Sequence, residues 1–268
     1  MTAIQFLQAT GGPDQTDWGL LLSRIFNPGE AFWPALVKTV LIAVLAQLLG
    51  IVLGLVSAFM QRSRLWALRA LAGMYVYLVR GTPVIVLVFF IYYGGSMLVG
   101  IDVFPDTVNF GLFKVGGAVL AGIVGLGIAE GAYMSEIIRS GISSIDKGQF
   151  ESAAAIGMDR GMTMRRIILP QAARVIIPPL GNQFNGMIKM TSLLAFIGVY
   201  EIFLDTQVHY SNTFKPVENF AAVAVWYIVL TTIWNLIQRL IERRLGRSDH
   251  GPRPASRGDA PSRQEVLV

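Results

Sequence analysis

Residues 146–172 read DKGQFESAAAIGMDRGMTMRRIILPQA, and this polar, helix-prone segment decides how the rest of the chain is interpreted. It lies between two strongly apolar segments. Asp146 is placed to cap a first short helix, with Gln149 as its partner in a capping box. Gly157 suits the left-handed position that ends a helix. The segment therefore begins with a helix of about ten residues and a tight glycine turn.

A second short helix is predicted after the turn. Asp159 can cap its start, and Pro170 is expected to terminate it. The two helices together carry a face of small residues and an apolar face. The small residues are Ala153, Ala154 and Gly157, and the apolar residues are Phe150, Met162 and Ile167. Such a unit suits docking into a groove of a soluble partner. It suits equally a plain amphipathic connector between two apolar segments, and the residues alone leave both interpretations open.

The composition outside this segment indicates lipid as the solvent. Of the 268 residues, 53% are hydrophobic and 15% are charged, and the mean hydropathy is +0.55. Soluble domains usually carry about a quarter charged residues. The chain has no cysteine, which excludes disulfides and thiolate metal sites. Its two histidines, His209 and His250, are far apart, so no metal site is predicted.

Five apolar stretches are each long enough to cross the ~30 Å hydrocarbon core of a bilayer. They cover approximately residues 33–60, 83–99, 115–138, 175–199 and 220–241. The fold class predicted is therefore an all-α integral membrane protein with five transmembrane helices. Residues 1–32 form an extracytoplasmic segment without a signal peptide, in which Trp18–Phe26 lies at the membrane interface. The polar tail, residues 242–268, is expected to be disordered.

Lysine and arginine decide which connections are cytoplasmic. One side of the predicted membrane carries most of them: Arg62, Arg64, Arg69, Arg80, Arg139, Lys147, Arg160, Arg165, Arg166, Arg174 and seven arginines from Arg239 onward. The other side carries Arg24, Lys114 and Lys215. The N-terminus is thus predicted outside and the C-terminus in the cytoplasm, together with the loop 146–172. The net charge of +5 reflects this topology, and binding of nucleic acid is not expected.

The same loop resembles a known family motif. The pattern E-x-A-x(3)-G-x(9)-I-x-L-P is met from Glu151 to Pro170, with Ser152 in place of the usual first alanine. This resembles the EAA loop of ABC importer permeases. Further motifs resemble the polar amino acid uptake branch, which includes histidine, glutamine, glutamate and arginine importers: RGTP at 80–83, GAYxxExxR at 131–139, PPLGNQF at 178–184 and KxTSL at 189–193. At Met190 the family more often has a polar residue.

The resemblance implies a type I ABC importer permease fold for residues 33–241 and a multi-pass location in the bacterial cell membrane. It also implies two copies of a cytoplasmic ABC ATPase, a second permease (a copy of this chain or a related one), an extracytoplasmic amino acid binding protein, and a polar amino acid as substrate. ATP and Mg²⁺ would bind the ATPase, with no cofactor on this chain, in which no GxxxxGK[ST] occurs. The coupling residues implied are Glu151, Ala153, Ala154, Gly157, Arg165, Ile167, Leu169 and Pro170.

Polar residues within the apolar stretches are candidates for the substrate pathway, because ionisable groups are costly in a bilayer. The candidates are Glu130, Asn182, Gln183, Asn185, Lys189, Thr191 and Ser192. Glu130 and Lys189 differ in predicted height by about 9 Å and could bind the two ends of a zwitterion. The alternatives are a structural ion pair and a lysine that extends to the interface. Pro178 and Pro179 indicate either a kink or a simple helix entry.

The residues argue against two other classes of function. A membrane enzyme requires acids, histidine or a nucleophile clustered at one membrane face, and the sequence shows no such cluster. A passive channel or scaffold accounts for the apolar stretches and gives the loop 146–172 no role. Five helices without an internal repeat form a poor closed pathway, which favours a dimer of permeases.

Overall fold

The structure is a computed structural model that describes residues 16–246, except 110, 112 and 113, and its regular elements are almost all helical. The helices are α1 (Trp18–Phe26), α2 (Phe32–Gln61), α3 (Trp66–Gly81), α4 (Val84–Val99), α5 (Gly117–Ser143), α6 (Lys147–Ala155), α7 (Arg160–Thr163), α8 (Leu169–Met190), α9 (Ile202–Thr213) and α10 (Pro216–Gly246). A π-helical turn, Met164–Ile168, joins α7 to α8, and a 3₁₀ helix, Thr191–Ile197, follows α8. The strands β1 (Thr107–Asn109) and β2 (Lys114–Gly116) form a small antiparallel hairpin.

Three of these helices are long and apolar enough to cross a membrane by themselves: α2, α5 and α10. Two further pairs pass the same test only together. The axes of α3 and α4 meet at 109°, and the segment from α7 to the 3₁₀ helix meets α9 at 53°. The described residues therefore offer three to five spans, and the predicted number of five corresponds to counting each bent pair once.

The centre of the bundle is the contact between α2 and α5. An added Cβ at Gly50 would lie 2.6 Å from Glu130 Cγ, and one at Gly54 would lie 2.3 Å from Met134 Cβ. Both helices advance together along these contacts, so they run parallel. On α5, an added Cβ at Gly127 would meet the side chain of Leu49, and one at Gly131 would meet the side chain of Leu53. Small residues let membrane helices approach closely, and the GxxxG pair of α2 thus serves packing within the chain.

Buried residues form three clusters from one end of the bundle to the other. The first, which includes Phe32 and Ile202, lies where α2, α9 and α10 begin. The middle cluster includes Leu126, Phe184 and Met187. The third lies where α2 and α5 end and α8 begins, and we call this end of the bundle the loop end because α6 and α7 follow directly there.

Several sequence predictions are corrected by the helix bounds. The basic stretch after the first span is not a simple connection, because it forms α3, and the connection 200–218 contains α9. The fourth stretch begins earlier, at Leu169, so Pro178 and Pro179 lie inside α8 and do not mark a helix entry. The prediction of disorder after residue 242 is wrong as far as Gly246, where α10 ends. Residues 1–15 and 247–268 lie outside the described part of the chain.

The short helix α1 is held against α9 and α10 by ionic contacts. Arg24 donates a 2.8 Å hydrogen bond to Asp205, and both side chains are buried. Asp17 accepts from Lys215 at 2.5 Å and from the Leu20 amide, which caps α1. The outer face of α1 carries exposed Trp18, Leu22 and Phe26. Aromatic and aliphatic side chains on one face suit the headgroup boundary. The interfacial position of this helix stays a prediction.

Candidate functional site

The loop segment forms the short helix α6 and the start of a second helix at the loop end, and its capping residues act at both helix starts as predicted. Asp146 Oδ1 accepts from the Gly148 amide at 2.6 Å, and Asp159 Oδ1 accepts from the Met162 amide at 2.9 Å. Gly157 has φ +80° and ends α6. The amides of Gly157 and Met158 donate to the carbonyls of Ala154 and Ala153, which is the Schellman arrangement.

Two local predictions in this segment are wrong. Gln149 does not complete a capping box, because its Oε1 accepts a hydrogen bond from Gln171 at 3.1 Å. Pro170 does not terminate a helix, because α7, the π turn and α8 follow one another without a break from Arg160 to Met190. The amide of Leu169 bonds to the carbonyl of Met164, five residues back. This wider turn directly before Pro170 already departs from the α-helical ladder in which a proline would clash.

The small-residue face predicted for α6 is divided by the fold. Ala153 is buried against the bundle, whereas Ala154 and Gly157 are exposed, together with Glu151. Ile156 is 76% exposed at the end of α6. Since an exposed isoleucine beside a glycine turn offers an apolar contact on a polar surface, the outer side of the segment is able to receive a partner while its inner side packs on α5 and α8.

Basic residues enclose a second part of this surface. Arg165 and Arg166 line a cavity of about 480 Å³ together with Asp159, Gly161 and Met162. Ile167 is half-buried and packs on the third cluster of buried residues, at the loop end. Leu169 and Pro170 are the first two residues of α8. The eight predicted coupling residues thus occupy one continuous segment, with Ala153 and Ile167 turned toward the bundle.

The predicted pathway residues separate into three places. The first is a polar group inside the bundle, around Glu130, which is 3% exposed. Its Oε1 accepts from Gln47 Nε2 at 3.2 Å, and the side chain of Gln183 is its second hydrogen-bonding neighbour. These three residues join α2, α5 and α8. Gln47 was missed from the sequence, although an amide in the middle of a thirty-residue apolar helix is itself a signal of a buried polar contact.

The second place is the contact of α8 with α10. Asn185 donates to Asn235 at 3.0 Å, and Gln238 and Trp234 donate to the carbonyls of Pro178 and Gly181. Pro178 and Pro179 remove two helical hydrogen bonds, and side chains of α10 bond to the neighbouring backbone there. Beyond α8, Thr191 is fully buried and Ser192 is half-buried near Tyr227.

The third place is an exposed stripe on α8. Asn182 and Lys189 are both exposed, and an added Cβ at Gly186 would meet no atom within 4 Å. The spacing of seven residues places Asn182 and Lys189 on one helix face. The salt bridges of the described residues do not join Lys189 to Glu130, and the buried position of Glu130 separates it from this stripe.

A buried acidic group near the opposite end was also missed. Glu201 is fully buried, caps α9 by accepting from the amides of Phe203 and Leu204, and accepts from Tyr227 at 3.2 Å. Thr39 of α2 lies 3.5 Å from the same carboxylate. This carboxylate joins α2, α9 and α10. Glu201 lies between the fourth and fifth apolar stretches, outside the predicted spans.

Residues 50–247 match the family described as "Binding-protein-dependent transport system inner membrane component". The chain belongs to this family. It is a permease component of the inner membrane and not an enzyme.

Relatives of the chain carry permease names. The chain is 36% identical over 231 residues to the "Probable amino-acid permease protein YxeN" of Bacillus subtilis, covering 86% of this chain and 96% of the relative. It is 36% identical over 224 residues to the glutamine transport system permease protein GlnP of Escherichia coli, covering 81% and 96%. It is 36% identical over 235 residues to the arginine transport system permease protein ArgU of Corynebacterium glutamicum, covering 84% and 71%.

Solved structures agree with the fold. A crystal structure of an amino acid ABC transporter with histidines superposes with a TM-score of 0.74 at 32% identity, covering 86% of this chain and 99% of that one. An inward-facing structure of the MetNI methionine ABC transporter gives a TM-score of 0.64 at 15% identity, over 86% and 99% of the chains. The second likeness supports the fold alone. The resemblance to ABC importer permeases predicted from the motifs is confirmed.

Proposed function

We propose that this chain carries a polar amino acid across the bacterial plasma membrane as the permease subunit of an ATP-driven importer. The family match supports a transport role, and the names of the amino acid permeases similar to it support the substrate class. In this proposal the five predicted spans alternate in direction, the N-terminus lies outside, and the loop end faces the cytoplasm.

The observation that carries the coupling role is the continuous helix from Arg160 to Met190. One end of this helix belongs to the exposed loop segment, and the other end bears Asn182, Gln183 and Lys189. A packed helix moves as a rigid element. Displacement of α7 by a soluble partner would therefore be transmitted along this helix to the polar residues of α8, and displacement of α6 would reach the helix through the hydrogen bond from Gln171 to Gln149.

The soluble partner in this proposal is an ABC ATPase, present in two copies, with ATP and Mg²⁺ bound on those subunits. Glu151, Ala154 and Ile156 project from the outer side of α6 and would enter a cleft of the ATPase. Arg165 and the neighbouring Arg166 offer charge to acidic groups at the rim of that cleft. An extracytoplasmic binding protein would deliver the amino acid to the opposite end of the bundle.

The substrate pathway is proposed to follow the exposed stripe of α8. Asn182 and Lys189 are polar groups on a helix that otherwise packs on three others. Polar residues at membrane depth face water or another protein chain. A second permease, either a copy of this chain or a related one, would place its own α8 opposite this stripe and so close the pathway.

Substitution of Gly157 tests the coupling role. Gly157→Asp places a charged side chain at an open position of the turn, and aspartate tolerates the left-handed backbone better than most residues. We expect the variant to insert and fold but to lose co-purification with the ATPase and substrate-stimulated ATP hydrolysis.

Two controls make this test specific. Gly157→Asn has nearly the same shape without the charge and separates crowding from repulsion. Ser143→Asp adds the same acid at the exposed end of α5, outside the loop segment, and is expected to leave association unchanged. Full association and uptake in the Gly157→Asp variant contradict the coupling role.

A further inference from the structure

A polar cavity opens beside α3 near the loop end, separate from the exposed loop and from the stripe on α8. Its volume is about 520 Å³. Arg80 and Glu136 lie in its wall together with Gln61, Val76, Tyr77 and Tyr133. It thus lies where α2, α3 and α5 meet, and the coupling and pathway proposals assign it no role.

The charges at this cavity do not balance when Arg139, which lies behind Glu136 and outside the wall, is included. Glu136 accepts two hydrogen bonds from Arg139, at 2.8 and 3.3 Å. The guanidinium of Arg80 reaches the same carboxylate only at 3.9 Å. One carboxylate therefore serves two guanidinium groups, and the group of three carries one surplus positive charge. This surplus favours an anion over a neutral ligand.

Within the part of the chain that the structure describes, the N–H donors of Arg80 make no close hydrogen bond. A guanidinium has five N–H donors, and within the described residues Arg80 makes the 3.9 Å ionic contact and stacks on Tyr133, with 5.4 Å from its central carbon to the ring centroid. Its side chain is 45% exposed. An arginine with a free planar guanidinium is suited to donate two parallel hydrogen bonds to a phosphate.

The depth of the cavity corresponds to lipid headgroups. Gln61 is the last residue of the long apolar helix α2, and it lines the cavity. Trp66 and Tyr77 are 75% and 79% exposed on α3 nearby. Exposed aromatic side chains mark the boundary between hydrocarbon and headgroups. The surplus charge therefore lies at the level of lipid phosphates.

The surface beside the cavity fits acyl chains. Leu71, Met74 and Leu78 are each more than half exposed, and their spacing of three and four residues places them on one face of α3. A free amino acid has no group for such a stripe, and its ammonium would meet two guanidinium groups. A lipid with one phosphate and two apolar chains can pair its phosphate with Arg80 and place its chains against the exposed apolar face of α3.

We propose that this cavity binds the phosphate group of an anionic phospholipid from the leaflet at the loop end. Arg80 binds the phosphate, the Tyr133 ring holds the guanidinium in place, and the acyl chains lie on the exposed face of α3. The lipid links α3 to α5 at the 109° bend between α3 and α4. The inference does not depend on the proposed substrate or on the ATPase.

The test measures binding of phosphatidylglycerol to the purified full-length chain in neutral detergent. Arg80→Gln is expected to weaken binding by about fivefold, since one arginine near an anionic surface contributes on the order of 1 kcal/mol. Arg69→Gln is the matched control. It makes the same charge change on the same helix, but Arg69 is bound to the backbone carbonyls of Ser63 and Arg64, and its effect is expected to be less than about twofold.

A second variant covers the case in which Arg80→Gln does not fold. Glu136→Gln removes the competing carboxylate and is expected to bind phosphatidylglycerol more tightly than the unchanged protein. Equal losses for Arg80→Gln and Arg69→Gln, or unchanged binding in Glu136→Gln, overturn the proposal. Equal binding of phosphatidylcholine, equal occupancy by inorganic phosphate alone, or displacement of the lipid by millimolar amino acid also overturns it.

Discussion

The close contact of α2 with α5 makes a specific prediction for Gly54. A Cβ at this position would lie 2.3 Å from Met134 Cβ, 2.9 Å from the Ser135 amide nitrogen and 3.0 Å from the Met134 carbonyl carbon. Carbon atoms in contact are normally about 3.5–4.0 Å apart. Two of the three obstacles are backbone atoms that cannot rotate away, so Gly54→Ala must separate the helices by about 1 Å.

That separation has an expected free-energy cost. Overpacking of one methyl group in a well-packed core destabilises a protein by roughly 1–3 kcal/mol. Gly54→Ala is therefore expected to lower the free energy of unfolding by that amount, measured by titrating the purified chain from a mild detergent into dodecyl sulfate. Gly50→Ala is expected to have a similar cost, because an added Cβ would lie 2.6 Å from Glu130 Cγ and 2.7 Å from Glu130 Cβ, and neither atom is the free end of that buried side chain.

Matched controls are available in the same chain. Gly73 in α3 and Gly186 in α8 have no atom within 4 Å of an added Cβ. Alanine at either position is expected to be neutral or to stabilise the helix by up to about 1 kcal/mol. A Gly54→Ala protein as stable as these controls refutes the parallel contact of α2 and α5.

Three further predictions concern buried and exposed carboxylates. Glu130→Gln is expected to retain folding but to reduce uptake of cationic amino acids relative to neutral ones in a competition assay, and an unchanged preference contradicts a role in selectivity. Asp205→Asn leaves Arg24 buried without its counter-charge and is expected to cost about 3–5 kcal/mol, most of it recovered when Arg24→Gln is added; no recovery contradicts the pairing. The hydrogen bond from Lys215 holds the pKa of Asp17 below its usual 3.8, so this contact contributes to the attachment of α1 above that pH, and its contribution is lost as the pH falls through the lowered pKa. Hydrogen exchange of α1 amides measures this loss, and Asp17→Asn should abolish the pH dependence.

Hydrophobic length and capping residues were sufficient to predict the main helices and the loop. The bounds of α2 agree with the prediction to one residue at each end, and Asp146, Gly157 and Asp159 perform the capping roles expected of them. These features are local, because a cap or an apolar run depends on residues a few positions apart. Such signals are therefore readable without knowledge of the fold.

Features that depend on distant contacts were not predictable. The helix α3 carries Arg69 and Arg80 and follows Arg62 and Arg64, so the rule that assigns basic stretches to connections concealed it. Pro170 was expected to end a helix, and only the π turn before it shows why the helix continues. The partners of Glu130, one on α2 and one on α8, are distant in sequence, and no spacing rule relates them.

The candidate pathway was predicted as one set of residues, and the fold divides it. Asn182 and Lys189 share the exposed stripe of α8, whereas Asn185 bonds to α10 and Glu130 is enclosed by α2, α5 and α8. Helical periodicity does not show which of Asn182 and Asn185 is exposed, because that depends on the helices that pack against α8. The exposed members are consequently the sharper targets for substrate-contact experiments.

The central claim is that the loop segment contacts a separate ATPase, and site-specific cross-linking tests it most directly. The chain has no cysteine, so Ala154→Cys introduces a unique position for a photoreactive maleimide on the exposed side of α6. Ser211→Cys, exposed at the far end of the bundle, is the control. In membranes that contain the assembled transporter, we predict a cross-linked product of permease and ATPase from position 154 and none from position 211. A product from position 211 alone, or none from position 154 in a complex that transports amino acid, contradicts the account.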